Sequence, residues 1–198
     1  GRELFEEGPS PLDPQESARQ STRTPQRKRF YREPGVADAD GGFAVTLDAR
    51  PIRTPSGRQV VIPSRALADA VAGEWAAQGE FMEPATMPAT RLASTAIDRI
   101  GQAREAVADE IAAYAGSDAI CYLGEGALER RQIEAWTPWR DWAERELGVR
   151  LVAASGIVHV TQSPEAVARV RALALALDDF ALTGLATANA SMLDESTA

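Results

Sequence analysis

The stretch "GFAVTLDARPIRTPSGRQVVIPSRALADAVAGEW", Gly42 to Trp75, changes its period in the middle, and that change decides the fold. Its first residues alternate, with Phe43, Val45 and Leu47 on one face, as a half-buried strand requires. "RQVVIP" (58–63) is a further strand candidate, and so is "RFYREPGV" (29–36) upstream. Gly41-Gly42 and "TPSGR" (54–58) supply the turns. A small antiparallel sheet of about three to five strands is expected. At Pro63 the period becomes helical. Ser64 is placed to cap the helix, and Leu67, Val71 and Trp75 recur every four residues. The class is therefore α+β: a small β-rich N-terminal domain over 27–63 followed by a larger, mainly helical domain over 64–198.

Ahead of the sheet, residues 1–26 hold four Pro and many charges without periodicity, which predicts a mobile tail. Glu3, Glu6, Glu7, Asp13 and Glu16 argue against a mitochondrial transit peptide, and no apolar stretch there suits a secretory signal. With 44% apolar residues among 198, the chain can bury a core. No apolar run approaches the roughly 18 residues of a membrane span. A net charge of −8 argues against a nucleic-acid partner, because phosphates are held by a basic surface. One Cys (Cys121) excludes an internal disulfide, and one Cys with one His (His159) excludes the usual Cys/His zinc site.

Further helices are expected at Leu92, Ala96, Ile97 and Ile100, and at Ala103, Val107, Ile111 and Tyr114. "ALERRQIEAW" (127–136) reads as a fourth helix, and Thr137-Pro138 as N-cap and first residue of a fifth, "PWRDWAEREL". Trp136, Trp139 and Trp142 would then pack these two helices onto the core, an exposed protein-binding anchor being the sharper alternative. "VRLVAASGIVHV" (149–160) breaks the helical pattern as a strand pair. "SPEAVARVRALALALDDFALTGL" (163–185) resumes it, with Val167, Val170, Ala174 and Leu177 in register.

Catalytic chemistry has little to build on. Any triad must use His159, which alternates with Val158 and Val160 as an ordinary strand residue would. Cys121 sits in apolar "SDAICYL" and reads as a buried, inert thiol. Asp118, after Gly-Ser, reads as a cap or turn residue rather than a general acid. No GxGxxG or Walker loop is present, and "DADGG" (38–42) is a hairpin turn rather than a calcium loop.

Seven fragments then occur in a telling order: "RFY", "VTLDARPIRTPSGR", "VIPSRALADAVAGEW", "MPATRLASTAID", "YAGSDAICY", "RRQIEAWTPWRDWAERELGV" and "GIVHVTQ". Together they resemble the assembly chaperones that attend the alpha subunit of the F-type ATP synthase soluble sector. The resemblance covers nearly the whole chain after residue 28. It implies a β-rich domain followed by a helical one, no enzymatic reaction and no cofactor. It also implies a monomer that shields the unassembled alpha subunit and is displaced on assembly, without inserting in a membrane. The setting would be the bacterial cytoplasm, or the mitochondrial matrix for eukaryotic members. Partner-binding candidates are Glu74, Gln78, Arg91, Asp98, Asp118, Gln132 and Asp141, although each could equally be a cap or a buried polar bridge. Trp75, Met87, Pro88, Tyr114, Tyr122, Trp136, Pro138 and Trp142 are the structural residues of the same motifs.

Two departures from the family pattern stand out. Leu123 follows Tyr122 where the family commonly has Arg, which removes a charged contact. The family also continues with another helical stretch past the point where "SMLDESTA" ends this sequence, so a part that contributes to partner binding is expected beyond it. Rival readings are a hydrolase or transferase using His159 and an acid, and a general holdase without a preferred client. In the linking segment 76–88, Pro84 and Pro88 restrict the residues before them, so a rigid connector is expected, with Met82 and Met87 filling irregular gaps.

Overall fold

The computed structural model describes residues 27–156 and 160–196; the tail over 1–26 and His159 lie outside them. Strand β1 (Pro34–Ala39) and strand β2 (Gly42–Leu47) form an antiparallel hairpin across Asp40-Gly41, with Val36 opposite Val45. On its other side β2 pairs antiparallel with β3 (Arg50–Pro51) and with β4 (Val61–Ile62), so β2 is the centre of the sheet. The β2–β3 turn, Asp48-Ala49, has φ of 49° and 65°, the doubly left-handed geometry that matches the twist of paired strands. Of "RFYREPGV" only the part from Pro34 enters the sheet. Its first residue lies beside the connector instead, Arg29 N donating to the Glu80 carbonyl at 2.8 Å next to the Lys28–Phe81 β-bridge.

Helix α1 (Arg65–Ala76) begins at Ser64, whose Oγ accepts from Leu67 N. It crosses the sheet, and Ala68 and Val71, both fully buried, close over Val45 and Ile62. Trp75, expected in the core, is half-buried at its edge and packs against the same cluster. A 3-10 turn (Pro84–Thr86) leads to α2 (Pro88–Thr95), which passes through a π turn (Ala96–Ile100) into α3 (Gly101–Ala115). The second and third apolar stripes thus lie on one continuous rod.

Three expectations are corrected beyond this rod. First, α4 (Ala127–Trp142) runs straight through Pro138 and on into a π turn (Ala143–Leu147), so "PWRDWAEREL" is not a separate helix. The hydroxyl of Thr137 accepts from Arg140 Nη2 at 2.9 Å rather than from a backbone N–H, and Arg140 Nη1 reaches the Ile120 carbonyl at 2.6 Å. Pro138 removes one intrahelical donor, a local cost that the turns on either side outweigh. Second, no residue of α4 is buried; Trp136 is half-buried, while Trp139 and Trp142 are 61% and 42% exposed, edge to face at 6.5 Å. With one helix in place of two, there is no seam for them to fill. Third, among the described residues of "VRLVAASGIVHV" (149–156 and 160) the strand is β6 (Ala154–Ser155), paired parallel with β5 (Tyr122–Leu123) rather than within its own segment, and 157–159 of the expected second strand lie outside the described residues. The backbone of Val152 is met by a buried side chain: Gln162 accepts from Val152 N and donates to Val152 O, each at 2.8 Å.

Helix α5 (Pro164–Ala176) stops at Leu177, whose backbone is extended, before α6 (Asp179–Ser196) begins. Arg104 staples this break, donating to the carbonyls of Leu175 and Leu177 and pairing with the Asp179 carboxylate. Ile100, Ala108, Ala174 and Leu182 form the second core, and Phe180 reaches back to the first.

Gly42 marks where β4 presses closest. At φ of 149°, a Cβ there would stand 2.4 Å from the Ile62 carbonyl oxygen, whereas one on Gly57 (φ 87°) meets nothing within 4 Å. Gly57→Ala should therefore cost about 1–2 kcal/mol of left-handed strain, and Gly42→Ala clearly more. Urea unfolding measures both; equal costs would show that β4 does not confine this position.

Candidate functional site

Among the described residues no three His, Cys, Asp or Glu side chains gather as a metal site, and no helix is long and apolar enough to cross a membrane. The Cys121 thiol is fully buried, and that burial pushes its pKa up, away from the reactive thiolate. Asp118 caps the 3-10 turn Ala119–Cys121, accepting from Ile120 N at 3.0 Å.

An open groove of about 1270 Å³ lies between the β2–β3 arm, the entering chain at 27–31, the connector and α2. Its base is apolar: Tyr31, Leu47, Ile52, Met82 and Met87 are buried there, with Trp75 beside them. Its rim is cationic, with Arg27, Arg50, Arg53, Arg91 and Arg99 against Asp48 and Asp98.

Each wall is fixed by a carboxylate or amide that satisfies backbone donors. Helix α2 has no side-chain cap at Met87. Glu74, from the end of α1, supplies one: Oε1 accepts from Ala89 N at 2.5 Å, and Oε2 from Thr90 N and Oγ1 at 2.8 and 2.7 Å. Gln78 is buried; its Nε2 donates to the Glu74 carbonyl and Thr86 Oγ1, and its Oε1 accepts from Glu83 N at 2.7 Å. The Arg29 guanidinium donates to the carbonyls of Gln78, Tyr31 and Arg32, joining the entering chain to the end of α1. Tyr31 donates to the Trp75 carbonyl at 2.6 Å and meets the Trp75 ring edge-on at 5.4 Å. Trp75 Nε1 is buried without an acceptor among the described residues, an uncompensated cost beneath the groove.

Asp48 and Asp98 do the same for the other walls. Asp48 accepts from the backbone N–H groups of Glu33 (2.8 Å) and Arg32 (3.0 Å), and these bonds hold its pKa below the ordinary value. Asp98 accepts from the Ser56 hydroxyl, Thr54 Oγ1 (2.7 Å) and Ser56 N (3.1 Å), pinning the 54–57 turn to the π turn. The Ser56 hydroxyl contributes most to lowering the Asp98 pKa.

The seven partner-binding candidates separate on this geometry. Asp98 lines the groove and Arg91 stands exposed on its rim, while Glu74 and Gln78 hold α2 and the connector behind its wall without lining it. Asp118 and Gln132 lie elsewhere, Gln132 accepting from Gly124 N at 2.6 Å, and Asp141 is exposed on α4. Of the motif residues, Trp75 and Met87 line the groove and Pro88 starts α2; Tyr114 and Tyr122 are half-buried away from it. Sequence reading missed Arg27, Arg50, Arg53 and Arg99, since three separate segments bring them together. The visible signal was the arginine density of "ARPIRTPSGR" beside a strand.

The model of the ATP12 chaperone protein family matches residues 28–144, a span that holds the groove from Phe30 to Arg99. Protein atp12, mitochondrial, of Schizosaccharomyces pombe is 29% identical over 162 residues, covering 74% of this chain and 55% of that protein. The chain thus spans about half the length of this curated relative. The crystal structure of Atp12 from Paracoccus denitrificans is 40% identical with a TM-score of 0.74, over 79% of this chain and 68% of that one. A crystal structure from Agrobacterium tumefaciens, of a protein described as a chaperone, is 39% identical with a TM-score of 0.77, over 91% and 69% of the two chains.

The lowered pKa of Asp98 gives a pH test. A carboxylate with a depressed folded-state pKa contributes stability above its unfolded value of about 3.9, which is lost as pH falls through the folded value. The melting temperature of the native chain should therefore exceed that of Asp98→Asn near neutrality. The gap should close as pH drops below about 4. Asp48 shifts with the same sign but is common to both proteins and cancels. A gap independent of pH would mean that the carboxylate charge does not hold the 54–57 turn.

Proposed function

This chain belongs to the ATP12 chaperone family, a family of chaperones and not of enzymes, and from that premise we propose that it holds the unassembled alpha subunit of the F-type ATP synthase soluble sector. A subunit destined for an obligate ring exposes an apolar interface of about 2,000 Å² or more before its neighbour arrives. Such a surface aggregates unless it is covered. The chaperone covers it and then yields to the subunit that owns the interface, an exchange that needs no nucleotide. The compartment on this reading is the cytoplasm of a bacterium, and the working form is a monomer.

The observation that supports this reading is the groove within the family-matched span. At about 1270 Å³ it exceeds the roughly 300–1,000 Å³ of small-molecule sites, and its lining offers cations and apolar surface, with no His or Cys among the lining residues and both carboxylates bound to the fold. A polypeptide surface suits it better than a small substrate. A general holdase would share these features, so client preference separates the two.

Size exclusion of the purified chain with isolated alpha subunit should give a one-to-one complex with a dissociation constant of roughly 0.1–10 μM, about −7 to −10 kcal/mol. Adding beta subunit should release the chaperone, since the larger obligate interface wins by mass action. A stable ternary complex would sink the displacement step. Equal protection of unrelated unfolded proteins would favour the holdase.

A further inference from the structure

We propose that the arginine-rimmed groove is the seat of the client, and that it takes a polypeptide segment whose apolar side chains are flanked by carboxylates. This rests on the chaperone reading above and adds the place and the chemistry. The first ground is charge. The chain carries a net −8, yet this one concavity gathers five arginines against two aspartates. Both aspartates are occupied, Asp48 by the backbone of Arg32 and Glu33 and Asp98 by Thr54 and Ser56. Among the described residues none of the five arginines has a carboxylate at ion-pair distance, as Arg65, Arg104, Arg145, Arg150 and Arg171 do; Arg53 donates to the Gly57 carbonyl and Arg27 lies over the Phe30 ring, contacts that leave their charge unmatched. Like charges crowded together repel, and an arriving anion relieves them. The planar guanidinium fork suits carboxylates in particular.

The second ground is the base. Tyr31, Leu47, Ile52, Met82 and Met87 offer apolar surface between the cations, and Phe30 stands 57% exposed at the entrance. A bare polyanion would leave this surface wet, and a neutral apolar segment would leave the arginines unmatched. The two methionines let the base adapt to different side chains. Only a segment carrying both features satisfies both parts of the groove.

The test uses the full chain and four labelled probes read by fluorescence anisotropy. The first is a short peptide alternating Glu or Asp with Phe or Leu. In the second each acid is replaced by Lys, and in the third each apolar residue by Ser. The fourth is a single-stranded oligonucleotide of the same charge as the first. The first should bind at least about tenfold more tightly than the others and weaken as salt is added. The exposed pair Arg91→Glu and Arg99→Glu, made together, should abolish that preference and improve binding of the lysine peptide. Arg50→Glu, on the opposite wall, should act in the same direction if the double variant fails to fold. Equal binding of the lysine, serine or oligonucleotide probe, or an unchanged preference in a folded variant, would overturn the proposal. The same variants enter the alpha-subunit capture. Capture equal to the native chain's would overturn the seat while leaving the chaperone reading intact. Native chain that shows the peptide preference and its reversal, yet captures no alpha subunit, would support the groove and remove that client.

Discussion

Helix α2 begins at a proline with no capping side chain of its own, and a helix start with unmet N–H groups must find acceptors elsewhere. Glu74 is the acceptor, reaching from the last turn of α1 to Ala89 and Thr90. One carboxylate therefore fixes the distance between two helices and the shape of the connector joining them. Gln78 satisfies the connector from inside, and Arg29 gathers the carbonyls that α1 leaves open at its end. Met82 and Met87 then have only one place to go, down into the core beside Tyr31. The groove is what remains open between these fixed walls.

Much of this frame could be read in the sequence. The switch from period two to helical spacing at Pro63 placed the sheet and α1, because sheet and helix each bury a single face. Pro84, Pro88 and the two methionines marked the connector for the same kind of local reason. What failed were features that depend on partners distant in sequence. Thr137-Pro138 has every local mark of a helix start, yet Arg140, anchored to Ile120, belongs to a helix already under way. The described part of the segment, 149–156, suggested a strand paired within its own neighbourhood because its backbone does need partners; β5 and the Gln162 amide, distant in sequence or lodged in a side chain, supply them. Glu74, Gln78, Asp98, Asp118 and Gln132 stood out as polar residues off the apolar stripes. In the structure all five accept from backbone N–H groups. The rim arginines had no local mark that joined them, since what gathers them is the meeting of separate segments around one groove, a property of the fold.

The two cores divide the labour. The first joins the sheet to α1 and α2 and carries the groove; the second binds α3 to α5 and α6 through small residues such as Ala108 and Ala174. They meet along the rod from Pro88 to Ala115, whose π turn holds Asp98 on one side and Ile100 on the other. A π turn adds a residue to the helical repeat and so rotates the faces that precede and follow it. The rod can therefore present Ala93 to the first core and Ala108 to the second without bending away from either.

Rigidity in the frame and freedom in the rim have opposite consequences for binding. Walls held by backbone-directed hydrogen bonds lose little entropy when the groove fills, which favours affinity. Exposed arginines each surrender side-chain freedom on pairing, about 2 kcal/mol at most for a long side chain, which limits it. The unpartnered Trp75 Nε1 lies beneath the same base and shows that the fold tolerates an unmet donor there rather than closing the site more tightly. On the proposed reading, a client held by charges around an apolar base would be gained quickly through electrostatic steering. It would also be given up readily to a competitor that buries more apolar area. For a chaperone that covers a surface and later surrenders it, as proposed here, this balance would serve better than a tight, fully matched interface.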